Sequence, residues 1–168
     1  MKKLVIISFV IISILGTLSH FVYEWSSCNK FLGYFFAVNE STWEHLKFLF
    51  FPSIFYCIFE YFLLKTKPQN YISATALGIL FGMLFIVISY YSYTGILGYN
   101  LDFLNITIYY LGVVVMLTIR SIIISKKLLC SNASNIVFST IILGFAWLFF
   151  IYTYSPPAIG IFTPPTNV

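Results

Sequence analysis

The chain has 168 residues, of which 60% are hydrophobic, 21% aromatic and 8% charged, with a mean hydropathy of +0.95. A soluble domain carries about 25% charged residues, so this composition excludes a water-soluble globular domain and indicates an integral membrane protein. The net charge of +4 comes from basic residues scattered at the ends of apolar runs, which argues against a nucleic-acid partner and for contacts with a lipid bilayer.

Five apolar segments are long enough to span a hydrocarbon layer, which takes about 20 helical residues. Lipid offers no partner for an unpaired backbone group, so each is expected to be a helix. The first covers about 4–24. It follows Lys2 and Lys3 and looks like a signal peptide, but the apolar run continues through Tyr23 and Thr17-Leu18-Ser19 is a poor cleavage site. An uncleaved signal anchor is the reading. His20 and Glu24 lie four residues apart near its end, on one helix face.

The second covers about 43–64 and opens on Asn39-Glu40-Ser41-Thr42-Trp43-Glu44-His45-Leu46-Lys47. Ser41-x-x-Glu44 matches a capping box, in which Ser41 accepts from the Glu44 amide and the Glu44 side chain bonds back to the Ser41 amide. Trp43 reads as an interfacial anchor. Pro52 cannot donate to the Phe48 carbonyl, so a kink is expected there.

The third covers about 71–93. Ala74, Gly78 and Gly82 recur every four residues, a small-residue stripe that lets helices approach closely. Tyr90, Tyr91 and Tyr93 form an interfacial belt. The fourth covers about 103–125, with Asn100 or Asp102 placed to cap it. The fifth covers about 135–154, and Pro156-Pro157 stops it. The tail after the two prolines is expected to be extended. Cys28, Cys57 and Cys130 show no metal or redox spacing.

The fold expected is one domain over 1–168, an all-α bundle of five transmembrane helices. Lys2, Lys3, Lys65, Lys67, Arg120, Lys126 and Lys127 all fall at one end, which sets that end inside, the N-terminus inside and the C-terminus outside.

Charged residues inside membrane helices are costly and mark functional or structural sites. At about 1.5 Å rise per residue, His20, Glu24, Glu40, Glu44, His45 and Lys47 share one layer at the outer end of the first two spanning helices. Carboxylates and imidazoles at helical spacing can ligate a divalent metal. They can also act as a general acid–base pair, with Glu44 or His45 in that role. Neither reading has a specific motif. The structural alternative is a capped helix whose Glu40 favours the macrodipole and whose His45 and Lys47 snorkel to headgroups. Glu60 and Arg120 lie at a common depth in the second and fourth spanning helices and are expected to form a structural ion pair.

His20-Phe21 with Tyr23-Glu24-Trp25, and Asn39-Glu40-Ser41 with Trp43-Glu44-His45-Leu46-Lys47, resemble an uncharacterised family of small bacterial multi-pass membrane proteins, a domain of unknown function. The resemblance implies a bacterial cytoplasmic-membrane location and leaves activity open. The leading reading is a small polytopic membrane protein that binds a metal, lipid or small-molecule ligand at its outer polar layer. A small membrane enzyme is the runner-up. A scaffold packing through Gly78 and Gly82 is the third.

Overall fold

The computed structural model describes residues 2–165. Six helices follow in order: α1 (Lys2–Trp25), α2 (Lys30–Gly33), α3 (Thr42–Leu63), α4 (Tyr71–Leu97), α5 (Asp102–Ser125) and α6 (Asn132–Tyr154), with a 3-10 turn at Gly160–Phe162. No strand occurs among the described residues. All but α2 are long and apolar enough to cross a membrane, at 22 to 27 residues each.

The helix ends show what starts and stops them. Asn29 Oδ1 accepts from the amides of Phe31 and Leu32, which starts α2, an element the hydropathy pattern does not announce. α4 runs four residues past its expected end and closes on Gly98, whose φ of +79° suits glycine. α6 begins at Asn132 rather than 135, because Ser131 Oγ accepts from the Ser134 amide at 3.0 Å. The expected cap on α5 does not form. Leu101 is its N-cap, with no side-chain cap bond, and Asn100 Oδ1 accepts instead from Asn105 Nδ2 at 2.7 Å.

The spanning helices alternate in direction. At one end the Tyr154 hydroxyl donates to the Lys30 carbonyl at 2.7 Å, and Tyr93 bonds Asn105. At the other end Asn70 Nδ2 donates to the carbonyls of Ile123 and Leu128, and Asn135 Oδ1 accepts from Ser73. The first is here called the histidine end, the second the lysine end.

Lipid tails are as apolar as leucine, so the bundle must hold by close packing and hydrogen bonds rather than by escape from water. The small-residue stripe does this between α4 and α5. A Cβ on Gly78 would sit 2.7 Å from the Met116 carbonyl oxygen, and one on Gly82 would sit 2.9 Å from that of Gly112. Ala74 on the same stripe is fully buried. Both glycines are thus filled from within the chain, which leaves them no room for a partner. α3 packs against α1 and α4, with Leu49 and Phe50 fully buried beside Ile79, Met116 and Phe149.

Pro52 lies inside α3, which continues past it to Leu63. The carbonyl it releases belongs to Phe48, and the Tyr109 hydroxyl reaches that oxygen at 3.5 Å and the Ile12 carbonyl at 3.1 Å. Neighbouring helices commonly satisfy backbone groups freed by proline in this way. Gly16 makes the approach possible, since a Cβ there would lie 2.5 Å from the Phe48 oxygen and collide with the Tyr109 hydroxyl.

Two interface expectations are corrected. Trp43 is buried, 4.6 Å from Phe149 and 4.9 Å from Phe162 between ring centroids, instead of anchoring at a headgroup layer. The tail is not simply extended. Its 3-10 turn carries Phe162 back onto Trp43 and Tyr152, because an aromatic ring gains contact there that an extended tail would forgo.

Candidate functional site

The segment that opens α3 sends its polar side chains in two directions. Ser41 caps the helix, its Oγ accepting from the Glu44 amide at 3.4 Å. The reciprocal half of the expected box is replaced. The Ser41 amide donates to Asn39 Oδ1 at 2.9 Å, and Glu44 Oε2 accepts from the Val38 amide at 3.0 Å.

On one face His45 Nδ1 lies 2.9 Å from the Ser41 carbonyl oxygen. A carbonyl oxygen only accepts, so Nδ1 carries the proton. His45 Nε2 then faces Glu40 Oε2 at 3.2 Å. His20 arrives from α1, its ring centroid 5.8 Å from that of His45. One ligand atom each from His20, Glu40 and His45 fall within 4.8 Å of one another. Phe48 fixes the two imidazoles from below, meeting His20 edge-on at 5.4 Å and His45 at 5.0 Å. Both histidines are half-buried, while the Glu40 side chain is 65% exposed. The hydrogen bond with His45 holds the Glu40 carboxyl below its ordinary range, against the opposing effect of partial burial, and the electrostatic influence of His45 and His20 adds to it.

On the other face Glu44 and Lys47 pass into the bundle, with relative exposures of 1% and 0%. Lys47 Nζ donates to Glu44 Oε2 at 2.8 Å, Thr153 Oγ1 at 2.7 Å, the Gly33 carbonyl at 2.9 Å and the Phe36 carbonyl at 3.4 Å. Thr153 bonds the Phe149 carbonyl at 2.6 Å and approaches Glu44 Oε1 at 3.4 Å. This ammonium does not snorkel. It ties α3 to α2 and to the end of α6.

The six residues of the expected layer therefore separate. His20, Glu40 and His45 form one group, Glu44 and Lys47 form a buried pair behind it, and Glu24 stays exposed outside both. Thr153, the Val38 amide and the carbonyls of Gly33 and Phe36 belong to the arrangement and carry no chemical motif. Glu60 and Arg120 meet at the lysine end. Tyr71 donates to Glu60 Oε2 at 2.6 Å and Ser8 to Oε1 at 3.2 Å, while the Arg120 guanidinium lies 4.7 Å from the Tyr71 ring centroid.

Two imidazoles and one carboxylate form a ligand set used for zinc and for non-haem iron, with coordination positions left open. Ligands held at about 2.0–2.2 Å from an ion sit about 3–4 Å apart, so side-chain shifts under about 1 Å would close this group. The Ser41 carbonyl supplies the outer hydrogen bond that orients a ligating imidazole.

Neither curated proteins nor solved structures include a match to the chain. A family model spanning residues 1–167 does match, and no activity is known for that family. The chain is an integral membrane protein with five spanning helices, and it belongs to the family of unknown function DUF6512.

Proposed function

We propose that this protein is a bacterial cytoplasmic-membrane protein that binds a divalent transition metal such as zinc through His20, Glu40 and His45 at its extracytoplasmic face. The orientation rests on the seven basic residues of the lysine end, which bacterial topology keeps inside. The chain then works as one transmembrane unit over 1–168.

One observation carries the metal assignment. His45 has an acceptor opposite each ring nitrogen, the Ser41 carbonyl at Nδ1 and the Glu40 carboxylate at Nε2. A ring protonated on both nitrogens meets both acceptors, and a divalent cation can replace the Nε2 proton between the ring and the carboxylate. His20 completes a three-ligand group from a second helix. Glu44 is a poor candidate for acid–base work, because its two oxygens already face Val38, Lys47 and Thr153.

The test is elemental analysis and zinc calorimetry of detergent-purified protein prepared without chelators. Wild type should bind about one equivalent, and His45→Ala and Glu40→Gln should lose it. Absence of saturable binding in wild type, or binding unaffected by both substitutions, overturns the proposal.

A further inference from the structure

We infer that the lysine end carries a seat for one anionic phospholipid, between α1, α3 and the turn into α4. A cavity of about 460 Å³ lies there, lined by Ile7, Ile11, Phe59 and Leu63, with Lys65 and Thr66 toward the bundle end. Its wall within two spanning helices is mostly hydrocarbon, with Tyr56 and Glu60 its polar members, and Ile7, Phe59 and Leu63 are exposed on the lipid-facing side. A soluble anion gains nothing from such a wall. An acyl chain fits it, with its phosphate level with Lys65.

A second cavity of about 330 Å³ shares Leu4, Leu64 and Thr66 with the first and reaches inward to Arg120. Arg120 is 7% exposed, and its Nε–H has no hydrogen-bond partner among the described residues. Glu60 lines both cavities, but Arg120, Tyr71 and Ser8 occupy its oxygens, so it offers an entering phosphate little repulsion. It is also the one acid at this end in the full sequence, against Lys2, Lys3, Lys65, Lys67, Arg120, Lys126 and Lys127. The other four acids are at the histidine end. Basic pockets between spanning helices on the cytoplasmic side suit anionic headgroups, and with the lysine end inside, as proposed above, this pocket joins an apolar floor to Lys65 at its rim. The seat is independent of the metal group.

Native mass spectrometry of the full chain, titrated in detergent with phosphatidylglycerol or phosphatidylcholine of matched acyl chains, tests this. Wild type should retain phosphatidylglycerol at least fivefold more tightly. Lys65→Ala should weaken that lipid about fivefold, the contribution of one lysine near an anionic surface, and Ile7→Trp should obstruct the cavity from a lipid-exposed position. Lys30→Ala, at the opposite end, should change nothing. Equal binding of the two lipids overturns the inference. So does phosphatidylglycerol binding that survives both Lys65→Ala and Ile7→Trp, or that glycerol phosphate displaces at comparable concentration, which would mark a free-anion site.

Discussion

Replacing Lys47 with methionine tests the buried half of the histidine end most directly. The substitution keeps length and apolar stem and removes the ammonium. Lys47 is fully buried, and its three protons are shared among Glu44, Thr153 and the carbonyls of Gly33 and Phe36. Its loss strands the Glu44 carboxylate without a counter-ion and leaves the carbonyls of Gly33, at the end of α2, and Phe36 short of a donor. Breaking a buried pair from one side costs about 3–5 kcal/mol. The Val38 amide and Thr153 still reach Glu44, which places the expected loss toward the lower figure. For a chain of this length each kcal/mol moves the melting temperature by about 2–4 °C, so Lys47→Met should melt about 6–12 °C below wild type in detergent, followed by tryptophan fluorescence. The double variant Glu44→Gln with Lys47→Met removes both charges and should recover at least half of the loss. A single variant melting within 2 °C of wild type, or a double variant no better than the single, would refute the reasoning that the pair matters through its uncompensated charge.

Glu40→Gln should weaken zinc by more than the 10–100-fold typical of an outer-shell partner, whereas Glu24→Gln should leave calorimetric affinity unchanged, since Glu24 lies outside the group. Lowering the pH should weaken zinc in the same assay, because an ion needs proton-free imidazole nitrogens and an ionised carboxylate, and acid supplies protons that compete for all three. Gly82→Leu should lower the melting temperature by at least about 4 °C, as the Gly112 carbonyl sits where the new side chain begins. Gly95→Ala, with nothing within 4 Å, should not. Glu60→Gln should cost about 3–5 kcal/mol by leaving Arg120 buried without its counter-ion, read as a similarly large melting shift that Tyr71→Phe reproduces only in part.

The number of crossings was legible because lipid imposes a length: each passage needs about 20 apolar residues, and five runs supply them. The Ser41 cap was legible from local spacing, and the nearness of Glu60 to Arg120 from their common depth. Direction was not. A helix that is apolar on every side carries no stripe to say which face meets its neighbours. The partners of Glu44 and Lys47 therefore could not be read from 39–47 alone. Thr153 lies 106 residues beyond Lys47, and the carbonyls of Gly33 and Phe36 carry no side-chain signature at all. α2 escaped notice because four residues set by one Asn29 cap leave no periodicity. Tyr109 is a similar case: Pro52 announces a free Phe48 carbonyl, but nothing local says which helix will reach it.

A buried ion pair is weak evidence for stability, since apolar residues of similar volume often do as well. Its use here follows from what its hydrogen bonds hold. Consecutive helical residues point about 100° apart, so Glu44 faces the bundle interior while His45 faces α1. The interior pair then grips the segment that precedes it: Lys47 holds the Gly33 and Phe36 carbonyls, and Glu44 holds the Val38 amide. Glu40 sits two residues beyond Val38, on the far end of that same segment. Its side chain is largely exposed and, among the described residues, has only His45 as an ion-pair partner, so its position depends on the backbone that carries it. A hydrophobic replacement could fill the volume behind α3 but could not fix those backbone groups. The buried charges thus serve the surface group, holding a loop-borne carboxylate in register with two helix-borne imidazoles.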